Sequence, residues 1–242
     1  MTERRRRTIA VTIITFLVVC ALQFPTIKQQ IIAPQNQPKQ QQLPQSSEGT
    51  EKAAEVLASL DIKGRAPKAG YSREQFGSGW ADIGNCDVRN LVLKRDMHEI
   101  KLADDSCTVQ SGVLNDPYTG KTIIFTRGPS TSDDVQIDHV VALADAWQKG
   151  AQYMTASVRL QIASDSLNLL AVDGPTNQKK SAGDAATWLP PNKAYRCRYV
   201  ARQIAVKSKY DLWVTQAEHD AMENVLQSCP DQRLPIVTVA EQ

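Results

Sequence analysis

The chain has 242 residues, of which 42% are apolar and 22% charged, with a formal net charge of +2. That length fits one folded domain, or one domain with an appendage. Residues 1–30 hold five basic groups and one acid, so the remainder carries 23 basic against 25 acidic groups and is net −2, which excludes a globally basic nucleic-acid binder.

Arg4 to Arg7 form a positive block, and Thr8 to Phe24 (TIAVTIITFLVVCALQF) run without a charge. This is the pattern of an export signal. At ~17 residues the run also reaches the lower limit for a membrane-spanning helix. Residues 1–24 therefore read as a signal peptide or an N-terminal membrane anchor, with the rest of the chain on the outer side. Residues 25–50, rich in Gln, Pro and Ser, bury too little apolar surface to order themselves and read as a tether. The folded domain is expected over residues 51–242.

Glu55 to Ile62 (EVLASLDI) has the spacing of a short amphipathic helix, and Cys86 to Met97 places Val88, Leu91 and Val92 on one helical side. Cys107 to Leu114 alternates like a strand, Asn115 to Gly120 (NDPYTG) is a turn by composition, and Lys121 to Gly128 is a second strand; together they predict a β-hairpin. Val135 to Val141 (VQIDHVV) predicts a third strand, Ala142 to Ala151 a helix ended by Gly150, and Leu167 to Asp173 (LNLLAVD) a fourth strand. Pro175 suits the first turn of a short helix. After Pro190 and Pro191, Asn192 caps a helix reaching Tyr210. The capping box Thr215-x-x-Glu218 opens another, with Met222, Val225 and Leu226 on one face. The fold class is α+β.

Cys86, Cys107, Cys197 and Cys229 lie outside the export segment and contain no C-x-x-C pair, so zinc-knuckle spacing is absent. An even count in an exported chain implies two disulfides. Of three pairings, Cys86–Cys107 with Cys197–Cys229 is favoured because each joins segments close in sequence.

Asp138 and His139 end an apolar run. A buried charge is costly unless paired, and adjacent strand residues point to opposite faces, so the two share a site only where the strand twists or ends. Asn168 starts the next strand, and Asn177 and Lys180 lie on the short helix after it. An imidazole takes a proton from water near neutral pH, and carboxylate and amide oxygens suit a hard ion, so these groups fit metal-assisted phosphodiester hydrolysis. From Lys179 to Lys209 there are eight Lys or Arg residues and one acid, a basic stripe suited to phosphates. The dipeptide alone does not establish catalysis, since a lone His is more often structural. His98 and His219, without ligand-spaced partners, read as structural or surface residues, and Trp80, Trp147, Trp188 and Trp213 as core.

Longer segments add to this: QIDHVVALADAWQKGA, NLLAVDGPTNQKKSAGDAATWLPPN and YRCRYVARQIAVKSKYDLWV, with YSREQFGSGWADIGNCDVRNLVLKRDM and LNDPYTGKTIIFTRG upstream. In this order they resemble the exported HNH endonuclease family of actinobacteria, related to the C-terminal nuclease domain of GmrSD restriction enzymes. The resemblance implies a ββα-metal (His-Me finger) core over about residues 120–185, two strands and a helix around one divalent ion. It puts Asp138 and Asn177 as metal ligands, His139 as general base and Asn168 as the residue that orients the imidazole or braces its loop. Lys180, one helical turn from Asn177, would face the phosphate, with Lys179, Arg127 and Arg196 as further phosphate contacts. Asn177 stands where many relatives have a histidine, which favours Mg²⁺ or Mn²⁺ over Zn²⁺.

The sequence thus points to a secreted or outer-face-anchored endonuclease acting on DNA, with RNA left open, of low sequence specificity because phosphate contacts carry little base information. No protein partner is implied. The rival is a non-catalytic, disulfide-braced extracellular nucleic-acid-binding protein of the same fold.

Overall fold

A computed structural model describes residues 47–236, so the expected export segment and most of the tether lie outside the described residues. No helix among the described residues is long and apolar enough to cross a membrane. In chain order the elements are β1 (Ser47–Lys52), α1 (Ala53–Ser59), β2 (Asp82–Ile83), β3 (Cys86–Asp87), α2 (Val88–Asp96), β4 (Met97–Leu102), β5 (Val109–Asn115), β6 (Thr122–Thr126), β7 (Val135–His139), α3 (Leu143–Gln148), α4 (Ala156–Ser164), β8 (Leu169–Asp173), α5 (Gly174–Lys180), α6 (Arg196–Lys209), α7 (Gln216–Leu226) and β9 (Arg233–Ile236). Short 3₁₀ turns lie at Arg73–Phe76, Ala151–Tyr153 and Lys193–Tyr195. The class is α+β, as expected.

The centre is the antiparallel pair β7–β8, buried on both faces. Val135, Ile137, Leu169 and Ala171 pack with α2 and the antiparallel sheet β4-β5-β6 in one cluster. Leu170 and Val172 join a larger cluster with Tyr199, Val200 and Ile204 of α6 and Met222 of α7. Burial on both faces explains why β8 reads as a nearly continuous apolar run, whereas β7 is interrupted by Gln136, Asp138 and His139. Asp173 ends β8 and caps α5, its side chain accepting from the Thr176 N–H, with Pro175 in the first turn. β7, β8 and α5 therefore form a strand-strand-helix unit that holds the Asp138–His139 pair, with α3 and α4 inserted between its two strands.

The expected tether ends earlier than residue 50. β1 pairs with β9, and a Cβ at buried Gly49 would come within 2.9 Å of the Leu234 carbonyl, so the backbones meet closely. Two disulfides, Cys86–Cys107 and Cys197–Cys229, join the expected partners. The first ties the start of α2 to the β4–β5 connection, and the second ties α6 to the residues after α7.

α7 begins with Thr215 accepting from the Glu218 N–H at 3.2 Å. The reciprocal half of the expected capping box is not made, because the Glu218 carboxylate turns inward. There Lys149 Nζ meets Asp145 at 2.7 Å, Asp184 at 2.8 Å and Glu218 at 2.6 Å. Lys207 Nζ meets Glu218 at 3.1 Å and Asp145 at 3.4 Å. Arg65 closes the cluster on Asp145 and Asp184. Three cations face three carboxylates, five of the six fully buried, and they bind α3, α6, α7 and two loops together.

Candidate active site

β7 and β8 pair in register from Val135 opposite Asp173 to His139 opposite Leu169. Directly opposed residues share a face. Asp138 therefore lies with Leu170 and Gln136 with Val172, on the α6 side, while His139 lies with Leu169 on the other. The two side chains of the Asp-His pair leave the strand in opposite directions, as alternation requires.

On the first face α5 packs along β7 in two rungs. Asn177 Nδ2 donates to Gln136 Oε1 at 3.0 Å. One turn later Lys180 Nζ donates to Asp138 Oδ1 and to the His139 carbonyl, each at 2.8 Å. The second Asp138 oxygen accepts from the Tyr118 hydroxyl. Asp138 is 5%, Lys180 2% and Tyr118 0% exposed. Burial pushes the Asp138 carboxyl up, against the Lys180 ammonium and the Tyr118 hydroxyl, which favour its charged form. Tyr118 sits under Trp188, Tyr195 and Tyr199, and burial pushes its hydroxyl well up.

On the other face the His139 ring is held twice. Nε2 lies 3.0 Å from the Ala163 carbonyl of α4. A carbonyl only accepts, so Nε2 carries the proton and Nδ1 the lone pair. The ring also stacks on Trp80, with centroids 5.8 Å apart and planes 7° apart. His139 is 6% exposed, and burial lowers its pKa to about 3, so the ring is neutral at ordinary pH. The positive charges of Arg73 and Lys180 push in the same direction. Arg73 is exposed and makes no ion pair among the described residues.

Asn168 is fully buried just before β8. Its Oδ1 accepts from the Val141 N–H at 2.8 Å, and its Nδ2 donates to the Ile162 carbonyl at 3.0 Å. It thus ties the residues after His139 to the helix whose Ala163 carbonyl holds the imidazole. Gln203 of α6, 1% exposed, adds a bond to the Val140 carbonyl at 3.0 Å.

The expected phosphate contacts fare differently. Lys179 is exposed on α5. Lys180 is not: it is buried against Asp138, because a carboxylate buried there requires a counter-charge. Arg127 donates to the Val109 carbonyl and to Asn90 Oδ1, both at 2.7 Å, bracing β5 against α2. Arg196 donates to the Pro190 carbonyl at 2.8 Å. Within the expected basic stripe, Arg202 is buried on the Leu167, Ser166 and Leu169 carbonyls and Lys207 in the ion cluster, so the stripe is not one phosphate-facing surface. His219 does have ligand-type neighbours: its ring nitrogen and carboxylate oxygens of Asp220 and Glu223 lie within 4.8 Å of one another.

Sequence reasoning missed Tyr118, Gln136 and Arg73, and it read Trp80 as core, which its packing bears out, without its stack on His139. Gln136 was legible, since it stands two residues before Asp138 and so shares its strand face. Tyr118 sits in a segment whose Asn, Asp, Pro and Gly mark a turn, which hides that Asp116 and Tyr118 point inward.

The sequence matches the family described as GmrSD restriction endonucleases, C-terminal domain, over residues 87–225. It is 38% identical over 179 residues to an uncharacterized secreted protein of Arthroderma benhamiae, covering 73% of this chain and 84% of that one. No solved structure matches it. The stretch from Asp87 through β7, β8 and α5 to Val225 of α7 thus carries the family match, and the chain belongs to the GmrSD restriction endonuclease C-terminal domain family.

Proposed function

We propose that this protein is an extracellular, divalent-metal-dependent endonuclease of the HNH type, hydrolysing phosphodiester bonds of DNA with low sequence specificity. The family supports nuclease chemistry in general, and the secreted relative and the export pattern support an extracellular setting. The observation that carries the reading is His139: a neutral imidazole, proton fixed on Nε2 by the Ala163 carbonyl, at the end of the first strand of a strand-strand-helix unit.

In this reading Nδ1 of His139 takes the proton from the water that attacks the phosphate. Asn168 and Trp80 hold the loop and the ring, so the base is oriented before substrate arrives. Asp138 and Asn177, on the α5 face of β7, supply oxygen donors for one hard ion; the His139 ring leaves the opposite face, but His139 is the last residue of the strand, so base and ion would meet on one phosphate beyond that strand end. The donor set fits Mg²⁺ or Mn²⁺: it is oxygen only, the Asn177 amide oxygen makes no hydrogen bond, and Asp138 already attracts a cation. When bound, such an ion would stabilise charge on the scissile phosphate and leaving oxygen. Arg73 and Lys179, exposed cations on the two sides of the unit, suit the flanking phosphates.

The test is cleavage of supercoiled plasmid, and in parallel of RNA, by the full-length protein with Mg²⁺ or Mn²⁺, with and without EDTA. Metal-dependent nicking that His139→Ala abolishes is the expected result. Intact plasmid and RNA in the wild-type lanes would overturn the nuclease reading in favour of a binding protein.

A further inference from the structure

The Asp138 carboxylate is assigned here as a metal ligand, yet both of its oxygens are engaged and the residue is sealed from solvent. Lys180 Nζ sits 2.8 Å from Oδ1, where a cation on that oxygen would lie, and holds the His139 carbonyl at the same distance. Lys180 is 2% exposed, and none of its contacts is a phosphate-like surface. A buried carboxylate without a counter-charge is costly, so the free protein needs this ammonium. A divalent ion brought to the same oxygen while Lys180 stayed would set three positive charges against one negative in a desolvated seam. Lys180 is the last residue of α5, and the chain leaves the helix through Ser181 at φ 51, next to exposed Lys179. Ser181 and Ala182 beyond it are exposed, so the helix end that carries this flexible four-carbon stem borders on solvent.

We propose that Lys180 is a built-in counter-ion that occupies the cation position of Asp138 in the free protein, and that the divalent ion binds by displacing it. This rests on Asp138 being a metal ligand. Its consequence is that the free protein holds the ion weakly. A phosphodiester, whose negative charge offsets both the ion and the released ammonium, makes binding of ion and nucleic acid mutually favourable.

The experiment is a Mn²⁺ titration of the full-length chain without nucleic acid, followed by the electron paramagnetic resonance of free Mn²⁺. All proteins carry His219→Ala, which removes the His219–Asp220–Glu223 group as a background site. Lys180→Met is expected to lower the Mn²⁺ Kd by about tenfold or more, and adding Asp138→Asn to abolish that gain. Lys180→Met binding no tighter than the parent, with binding still lost in Asp138→Asn, overturns the displacement and leaves the ligand assignment standing. Mn²⁺ binding unchanged by Asp138→Asn overturns both. A second measurement does not depend on the variants folding. In the otherwise wild-type chain, reductive methylation read by mass spectrometry is expected to leave Lys180 unmodified without metal and to modify it at saturating Mn²⁺. Protection at saturation overturns the displacement.

Discussion

Trp80 lies parallel to the imidazole of His139, the planes 7° apart. With the Ala163 carbonyl on Nε2, this leaves the ring little freedom, since one contact fixes its edge and the other its plane. A base held in place contributes through orientation rather than through binding. Trp80→Ala is therefore expected to lower kcat for plasmid cleavage by about tenfold or more, with little change in KM, while Trp80→Phe retains most of the rate. Steady-state cleavage kinetics decide it. A KM effect alone would make Trp80 a substrate contact and not a positioning residue.

The ion cluster around Lys149 is a different kind of element, since it touches no proposed substrate group. Removing Lys149 leaves Asp145, Asp184 and Glu218 buried with only Lys207 and Arg65 to offset them. Breaking a buried pair in this way costs about 3–5 kcal/mol, so Lys149→Met is expected to lower urea-unfolding stability by that order. The contrast is Lys52, whose pair with Asp231 is solvent-exposed, and Lys52→Ala should leave the unfolding midpoint where it was.

This contrast also explains what could be read from the sequence. The strand around Leu170 was legible because burial on both faces leaves a continuous apolar run, the strand around Ile137 from the apolar residues that flank Gln136 and the Asp-His pair, and the disulfides because each pair is close in sequence. Lys180, Arg202 and Lys207 were not, because a charged residue in a helix reads as solvent-facing until its partner is known. Lys180 and Arg202 reach partners 33 to 42 positions away, and Lys207 reaches Asp145, 62 positions back, as well as Glu218 of the next helix. Helix α4 was missed for a related reason: Ala156–Ser164 buries only Ile162, so its sequence carries no apolar stripe. Yet that helix supplies the Ala163 carbonyl that sets the tautomer of His139, a backbone contribution that no side chain announces. Asn168 was placed at the site by its motif, and its bonds to Val141 and Ile162 are visible only in the fold.

Asn168 gives a prediction that couples stability to activity. Asn168→Ala strands the Val141 N–H and the Ile162 carbonyl in the interior. Each buried group left without a partner costs about 1–3 kcal/mol, so the variant is expected to lose at least about 2 kcal/mol in urea unfolding. Its kcat should also fall at temperatures where it remains folded, because the loop behind His139 and the end of α4 are no longer tied. A stable variant with wild-type kcat would show that the network does not position the base.

His139 also makes the fold sensitive to acid, and the direction follows from its burial. The folded ring has a pKa of about 3, whereas an unfolded histidine titrates near ~6.5. Between these values the unfolded chain takes up a proton that the folded chain refuses, so the penalty is absent above pH ~6.5 and grows as the pH falls toward 3. By pH ~5 it amounts to about 2 kcal/mol, at about 1.4 kcal/mol per pH unit. His139→Gln carries an amide N–H at about the reach of Nε2, can still meet the Ala163 carbonyl, and has no such titration. Its urea-unfolding free energy should therefore fall less than that of the wild type between pH 7 and pH 5, by that amount. Equal losses in the two proteins would mean that the imidazole is solvated in the folded state, and the neutral, pre-oriented base would have to be abandoned.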